Sequence, residues 1–120
     1  MLASLLLTGA VQGTPIFCNL KALTAAERHE HATRTVRLIS AVVNVENVAG
    51  GYRLHFNAAL PAADILQWID AERRCCPFMD FEMRLERENG PRWLQLTGRE
   101  GVKAFLSKEI KAAHEDVAAR

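Results

Sequence analysis

At residues 72–81 the chain reads Glu72-Arg73-Arg74-Cys75-Cys76-Pro77-Phe78-Met79-Asp80-Phe81, and here it changes from helix to strand. Pro77 disfavours the helical conformation at the residue before it, so a helix that reaches this stretch must end at the cysteine pair. Such a helix is predicted from Pro61 onward, because apolar residues follow that proline at helical spacing. They are Ala62, Ile65, Leu66 and Ile69.

Segments with the residue pattern of strands precede and follow this helix in the sequence. Downstream, apolar and charged residues alternate over 81–86, and Asn89-Gly90 turns the chain into a second strand at 92–96. Upstream, the segments 42–48 and 52–56 flank a glycine-containing turn. Two hairpins are therefore predicted.

Two capping-box patterns predict the remaining helices. Thr24-Ala25-Ala26-Glu27 opens a first helix, and Thr97-Gly98-Arg99-Glu100 opens a last one. The predicted order is α-ββ-α-ββ-α, which indicates an α+β fold. Its four-stranded antiparallel sheet carries the helices mainly on one face.

The length of 120 residues suits one hydrophobic core. We predict a single α+β domain at 15–112 and a polar tail at 113–120. Residues 1–14 form an N-terminal extension, or a secretory signal at 1–13, although no basic residue precedes its apolar run. That run is also too short to span a bilayer. With 15 basic and 14 acidic residues, the chain has no charge pattern for nucleic acid, and neither nucleic-acid nor membrane partners are expected.

The cysteine count bears on the cellular compartment. Three cysteines without disulfide-rich spacing favour reduced thiols and a cytoplasmic protein. The alternative is an exported protein, if residues 1–13 act as a signal.

The angle of about 100° per residue in a helix predicts the side of the helix on which each cysteine of the pair lies. Cys76 falls on the apolar face of Ile69, whereas Cys75 falls at its boundary, so Cys75 is expected to be the more accessible thiol. The negative end of the helix dipole raises thiol pKa here, with Arg73 and Arg74 opposing it. Thiol redox catalysis is therefore disfavoured, and the C-x-x-C spacing is missing from the sequence.

A metal site at this pair needs further ligands, since structural zinc takes four from Cys, His and carboxylate side chains. Soft ions accept two or three sulfurs, and Cys18 is the third thiol. Glu72, His31, His29 and His55 are the other candidates. Because His29 and His31 are two residues apart on a helix, at most one of them can join a single site. The competing interpretation is that all three cysteines are small buried apolar residues.

Two further interpretations stay open. Cys75 could be the nucleophile of a thiol enzyme assisted by Glu72 or a histidine. Trp93, on the strand face opposite Leu94 and Leu96, could instead bind a small ligand or a partner protein, with purely structural cysteines, or form a homodimer with a second copy of the chain. No phosphate-binding glycine loop is present in the sequence, and no organic cofactor is indicated.

Three motifs together resemble a family of small uncharacterised bacterial proteins. They are Cys18-Asn19-Leu20-Lys21-Ala22-Leu23-Thr24, Glu72-Arg73-Arg74-Cys75-Cys76-Pro77-Phe78 and Gly90-Pro91-Arg92-Trp93-Leu94-Gln95-Leu96-Thr97-Gly98. The resemblance covers residues 15 to about 110 and leaves residues 1–14 outside. It implies that Cys18, Cys75 and Cys76 belong to one motif set. Similar segments are also met fused to or near regulators of the mercury-resistance-activator class, which implies a regulator as a partner.

The leading hypothesis is a protein that binds or senses a soft metal ion or metalloid. Its thiolate ligands are Cys18, Cys75 and Cys76, with Glu72 or His31 as auxiliaries. The expected cofactor is a thiophilic ion: Zn(II), Cu(I), Hg(II) or As(III).

Overall fold

The computed structural model describes residues 15–119, and the predicted extension at residues 1–14 lies outside them. Within that range the α+β order α-ββ-α-ββ-α is confirmed. A short 3₁₀ turn, Leu20–Ala22, comes first. It is followed by α1 (Ala25–Ser40), β1 (Val42–Val48), β2 (Gly51–Phe56), α2 (Ala62–Cys75), β3 (Asp80–Leu85), β4 (Arg92–Thr97) and α3 (Val102–Ala118).

The two hairpins join into one four-stranded antiparallel sheet with the order β1-β2-β4-β3. The central strands β2 and β4 pair with Leu54 opposite Leu94. Both side chains are buried, as expected for the inner face of central strands. One face of the sheet is therefore apolar, and the helices pack on this face.

The core lies between this face and the helices. Ile65 of α2, Val102 of α3 and Leu94 of β4 have no exposed surface, and Leu38 of α1 is nearly as buried. Burying a side chain of this size stabilises the fold by about 1.5–3 kcal/mol. None of the helices within residues 15–119 is long and apolar enough to cross a membrane.

The other face of the sheet is polar around a half-buried Trp93. The guanidinium of Arg53 lies 4.3 Å above the indole ring, and its Nη2 donates a hydrogen bond of 2.7 Å to Gln95. Trp93 thus lies on the face predicted for it, but Arg53 covers part of its apolar surface. The homodimer through Trp93 stays a prediction.

The first capping box is confirmed, whereas the second is wrong. Thr24 and Glu27 exchange reciprocal hydrogen bonds of 2.8 and 3.1 Å at the start of α1. Thr97, however, is the last residue of β4 and pairs with Asp80. Strand pairing holds this threonine, so α3 begins later, after Gly101 in the left-handed region at φ 98°. α3 also continues to Ala118, through most of the segment predicted as a polar tail.

Loss of the first cap should destabilise the protein measurably. We expect Thr24→Ala to lower the free energy of unfolding by about 1 kcal/mol, because an amide at the start of α1 loses its acceptor. The control is Thr33→Ala on the exposed face of the same helix, with an expected change within about 0.5 kcal/mol. Urea unfolding measures both variants, and equal effects would contradict a role for the cap.

Candidate thiol and metal site

Three separate segments of the chain converge at the C-terminus of α2. Cys18 comes from the segment before α1, and His31 comes from α1. Glu72 and Cys75 come from the last turn of α2, and Cys76 directly follows it. The backbone amide of Asn19 donates a 2.7 Å hydrogen bond to the carbonyl oxygen of Cys75. This bond fixes the N-terminal segment against the end of the helix and places Cys18 beside the cysteine pair.

Cys18 and Cys76 form a disulfide across 58 residues of sequence, with their Cα atoms 4.5 Å apart. The expectation that all three cysteines are reduced thiols is therefore wrong for this form of the protein. The sequence could not show the bond, because it depends on a contact between distant segments. Disulfides persist in oxidising compartments, so the prediction of a cytoplasmic protein loses the support of reduced thiols.

Cys75 is the free cysteine, and it is as buried as its neighbour. The exposed fractions are 1% for Cys75 and 0% for Cys76, so the prediction that Cys75 is the more accessible thiol is wrong. Helical phase placed Cys75 beside Trp68, at what seemed the edge of the apolar face. In the fold α1 covers that edge, because the His31 ring stacks on Trp68 with centroids 5.7 Å apart.

The surroundings of Cys75 hold its thiol in the neutral form. Burial, followed by the negative charge of Glu72, raises the pKa of Cys75 from 9.0 to about 11. The positive charge of Arg74 opposes this only in part. With that pKa, about one molecule in 10⁴ carries the thiolate at pH 7. A thiol enzyme needs the opposite shift at its nucleophile.

Glu72 links the thiols to the histidine. Its Oε1 accepts a 2.6 Å hydrogen bond from His31 Nε2 and lies 3.9 Å from Cys75 Sγ, while Oε2 lies 3.5 Å from Cys76 Sγ. The other ring nitrogen of His31, Nδ1, is buried and has no hydrogen-bond partner among the described residues. Glu72 is therefore the central group of the cluster.

Two sets of potential metal ligands share this carboxylate. One set is His31, Glu72 and Cys75, and the other is Cys18, Glu72 and Cys76. Within each set the ligand atoms lie within 4.8 Å of one another. The five residues predicted as ligands are thus brought together, whereas His29 is exposed and His55 bonds to Glu46 at 2.8 Å on the far face of the sheet.

A cavity of about 570 Å³ opens beside the cluster, between the three helices and the centre of the sheet. Its walls include Trp68 of α2 and Phe105, Leu106 and Ile110 of α3. Glu109, an exposed residue, also contributes to the lining. The sequence interpretation missed this contribution of α3, although Glu109 lies one helical turn after Phe105 and so on the same side of the helix.

No family model, curated protein or solved structure matches this chain.

Breaking the disulfide should destabilise the fold. A cross-link that closes a loop of 58 residues stabilises a protein by about 4 kcal/mol in the chain-entropy model. We expect Cys18→Ser to lose about this amount in urea unfolding without reductant and to match the reduced wild-type protein. Peptide mapping without reduction should recover Cys18 linked to Cys76. A reductant-independent stability, or a link that involves Cys75, would contradict the assignment.

The titration of Cys75 can be followed through the ultraviolet absorbance of its thiolate, taken as the difference from Cys75→Ser. Because the pKa is raised, the thiol form should persist through pH 9 and ionise near pH 11. Glu72→Gln removes the second-largest cause, so the midpoint should fall yet stay above 9.0, since burial remains. Glu82→Gln on the exposed edge strand β3 is the control and should leave the midpoint unchanged. A wild-type midpoint at or below 9.0 would overturn this description of the site.

Proposed function

We propose that the protein binds a thiophilic metal ion or metalloid at the cluster of Cys18, Cys75, Cys76, Glu72 and His31. The observation that carries this proposal is that three cysteines, a carboxylate and an imidazole from three chain segments form two ligand sets that share Glu72. Cys75 Sγ and Cys76 Sγ lie 3.7 Å apart, and Cys18 is bonded to Cys76. Cys76 thus lies next to both other cysteines, and reduction of its bond to Cys18 would free three sulfurs as ligands for an ion.

Whether Cys18 and Cys76 are bonded or reduced determines which ligand atoms are available to an ion. With the disulfide intact, the cluster presents one nitrogen, one carboxylate and the sulfur of Cys75, a mixed set of the kind that zinc accepts. After reduction, Cys18 and Cys76 add two sulfurs to that of Cys75. A set of three thiolates suits softer centres such as Cu(I), Hg(II) or As(III).

A bound cation would also stabilise the thiolate form of Cys75. A thiolate at this position is disfavoured by burial and by the nearby charge of Glu72. A cation supplies the missing positive charge and takes the place of the thiol proton. The half-buried Glu72 carboxylate likewise gains a counter-charge. Ion binding should therefore release protons and strengthen as pH rises.

A sensing role follows from the chain segments that the ion would connect. Cys18 belongs to the segment before α1, whereas Cys75 is the last residue of α2 and Cys76 follows it. Reduction removes the covalent link between them, and an ion bound by all three thiolates restores it. Ion binding would thus order the N-terminal segment against α2, a change that a partner such as a regulator can read.

Native mass spectrometry tests the proposal directly. The protein, with and without reductant, is offered Zn(II), Cu(I), Hg(II) and As(III) in turn. We expect one ion per reduced chain for at least one of these, and weaker uptake of the softer ions by the disulfide form. Bound ion should also protect all three thiols from alkylation.

A matched pair of variants separates site binding from surface binding. His31→Ala should weaken uptake by the disulfide form at least tenfold, because it removes one of three ligands. His29→Ala, on the same helix but exposed, should bind like the wild type. The proposal fails if the reduced protein takes up none of these ions, or if a folded variant with all three cysteines changed to serine binds them unchanged.

A further inference from the structure

The cavity beside the cluster is much larger than a bare ion requires. Its volume of about 570 Å³ lies within the range of about 300–1,000 Å³ that is typical of sites for small organic molecules. Such sites combine mostly apolar walls with a few placed polar groups. A bare metal ion held by the cluster would not fill this cavity.

The polar groups and the apolar groups are unevenly distributed around the cavity. Cys75, Glu72 and His31 meet within 4.8 Å of one another, so the reactive groups form one compact patch. Side chains such as Leu54, Leu96, Phe105, Leu106 and Ile110 provide apolar lining. A fitting ligand therefore has one thiophilic, positively charged centre and an apolar body.

We propose that the preferred ligand is a thiophilic metal centre that carries an apolar organic group, an organometal cation of the type R–Hg⁺. The inference rests on the proposed function and specifies its substrate class. Cys75 is the thiol that remains free when Cys18 and Cys76 are bonded, so the disulfide form supplies one sulfur. A cation that already carries one carbon ligand needs only one sulfur to complete linear coordination. The organic group R then occupies the apolar part of the cavity.

Binding is a ligand exchange without change of oxidation state. The bond between mercury and its leaving anion breaks, and a bond between mercury and Cys75 Sγ forms. The thiol proton leaves to solvent, with the Glu72 carboxylate, 3.9 Å from the sulfur, as a neighbouring base. The carbon–mercury bond remains intact.

The test compares methylmercuric chloride with phenylmercuric acetate on the unreduced full-length protein. Affinities come from competition against glutathione, which removes the intrinsic difference between the two sulfur–mercury bonds, and the mass of the unreduced protein confirms after each measurement that the Cys18–Cys76 bond is intact. Burial of the larger group should make phenylmercury bind at least about tenfold more tightly than methylmercury. Cys75→Ser should abolish stoichiometric binding of both.

A cavity-filling variant locates the organic group. Ala113 of α3 lines the cavity and is half-buried, whereas Ala104 of the same helix is exposed and lies outside it. Ala113→Phe should remove most of the preference for phenylmercury while methylmercury still binds, and Ala104→Phe should keep the wild-type preference. As a measurement that needs no cavity variant, phenylmercury should quench the fluorescence of Trp68 in a Trp93→Phe background.

Failure of the organic-group assignment and failure of the proposed metal binding give different results. Equal corrected affinities for the two compounds, or a preference that Ala113→Phe leaves unchanged, overturn the organic-group assignment even if mercury binds at Cys75. If neither compound nor any bare ion binds at the cysteines, the proposed function itself is overturned.

Discussion

The attachment of the Cys18 segment to the C-terminus of α2 is the constraint on which the site depends. A disulfide joins Cys18 to Cys76, and the Asn19 amide bonds to the Cys75 carbonyl at 2.7 Å. The second contact also satisfies a carbonyl group in the last turn of α2, where helices lack intrahelical partners. The attachment thus combines a covalent bond, which reduction removes, with one backbone hydrogen bond.

Burial then determines the chemistry of the assembled groups. α1 places His31 over Trp68 and against Glu72, which closes the side of α2 that would otherwise be its exposed edge. In this environment a lone thiolate at Cys75 is unfavourable, as its raised pKa shows. The same environment strengthens attraction between a bound cation and its ligands, because water is excluded. The cluster is therefore better suited to hold a cation than to supply a free nucleophile.

Much of the fold is encoded in local patterns, which is why it could be predicted. Pro77 ends α2 next to the cysteine pair, and the capping box at Thr24 opens α1. The loop at residues 86–91, which contains Asn89-Gly90, connects β3 to β4. The second capping box failed because Thr97 has two competing roles, and its pairing with Asp80 in the sheet prevails over capping.

For the site, the sequence predicted which residues lie together but not how they are bonded or how deeply they are buried. The motif resemblance placed Cys18 with the cysteine pair, and spacing allowed at most one of His29 and His31 in a single site. The disulfide and the burial of Cys75 depend on contacts between distant segments, which helical phase within α2 cannot show. The cavity could not be predicted for the same reason, since it exists only between packed elements.

X-ray absorption spectroscopy of the reduced protein loaded with one equivalent of Zn(II) tests the central claim most directly. If the three cysteines and one of Glu72 or His31 hold the ion, the spectrum should show three sulfur ligands at about 2.3 Å and one nitrogen or oxygen ligand at about 2.0–2.2 Å. A first shell made only of nitrogen and oxygen, or a spectrum that Cys18→Ser leaves unchanged, would contradict a shared thiolate site.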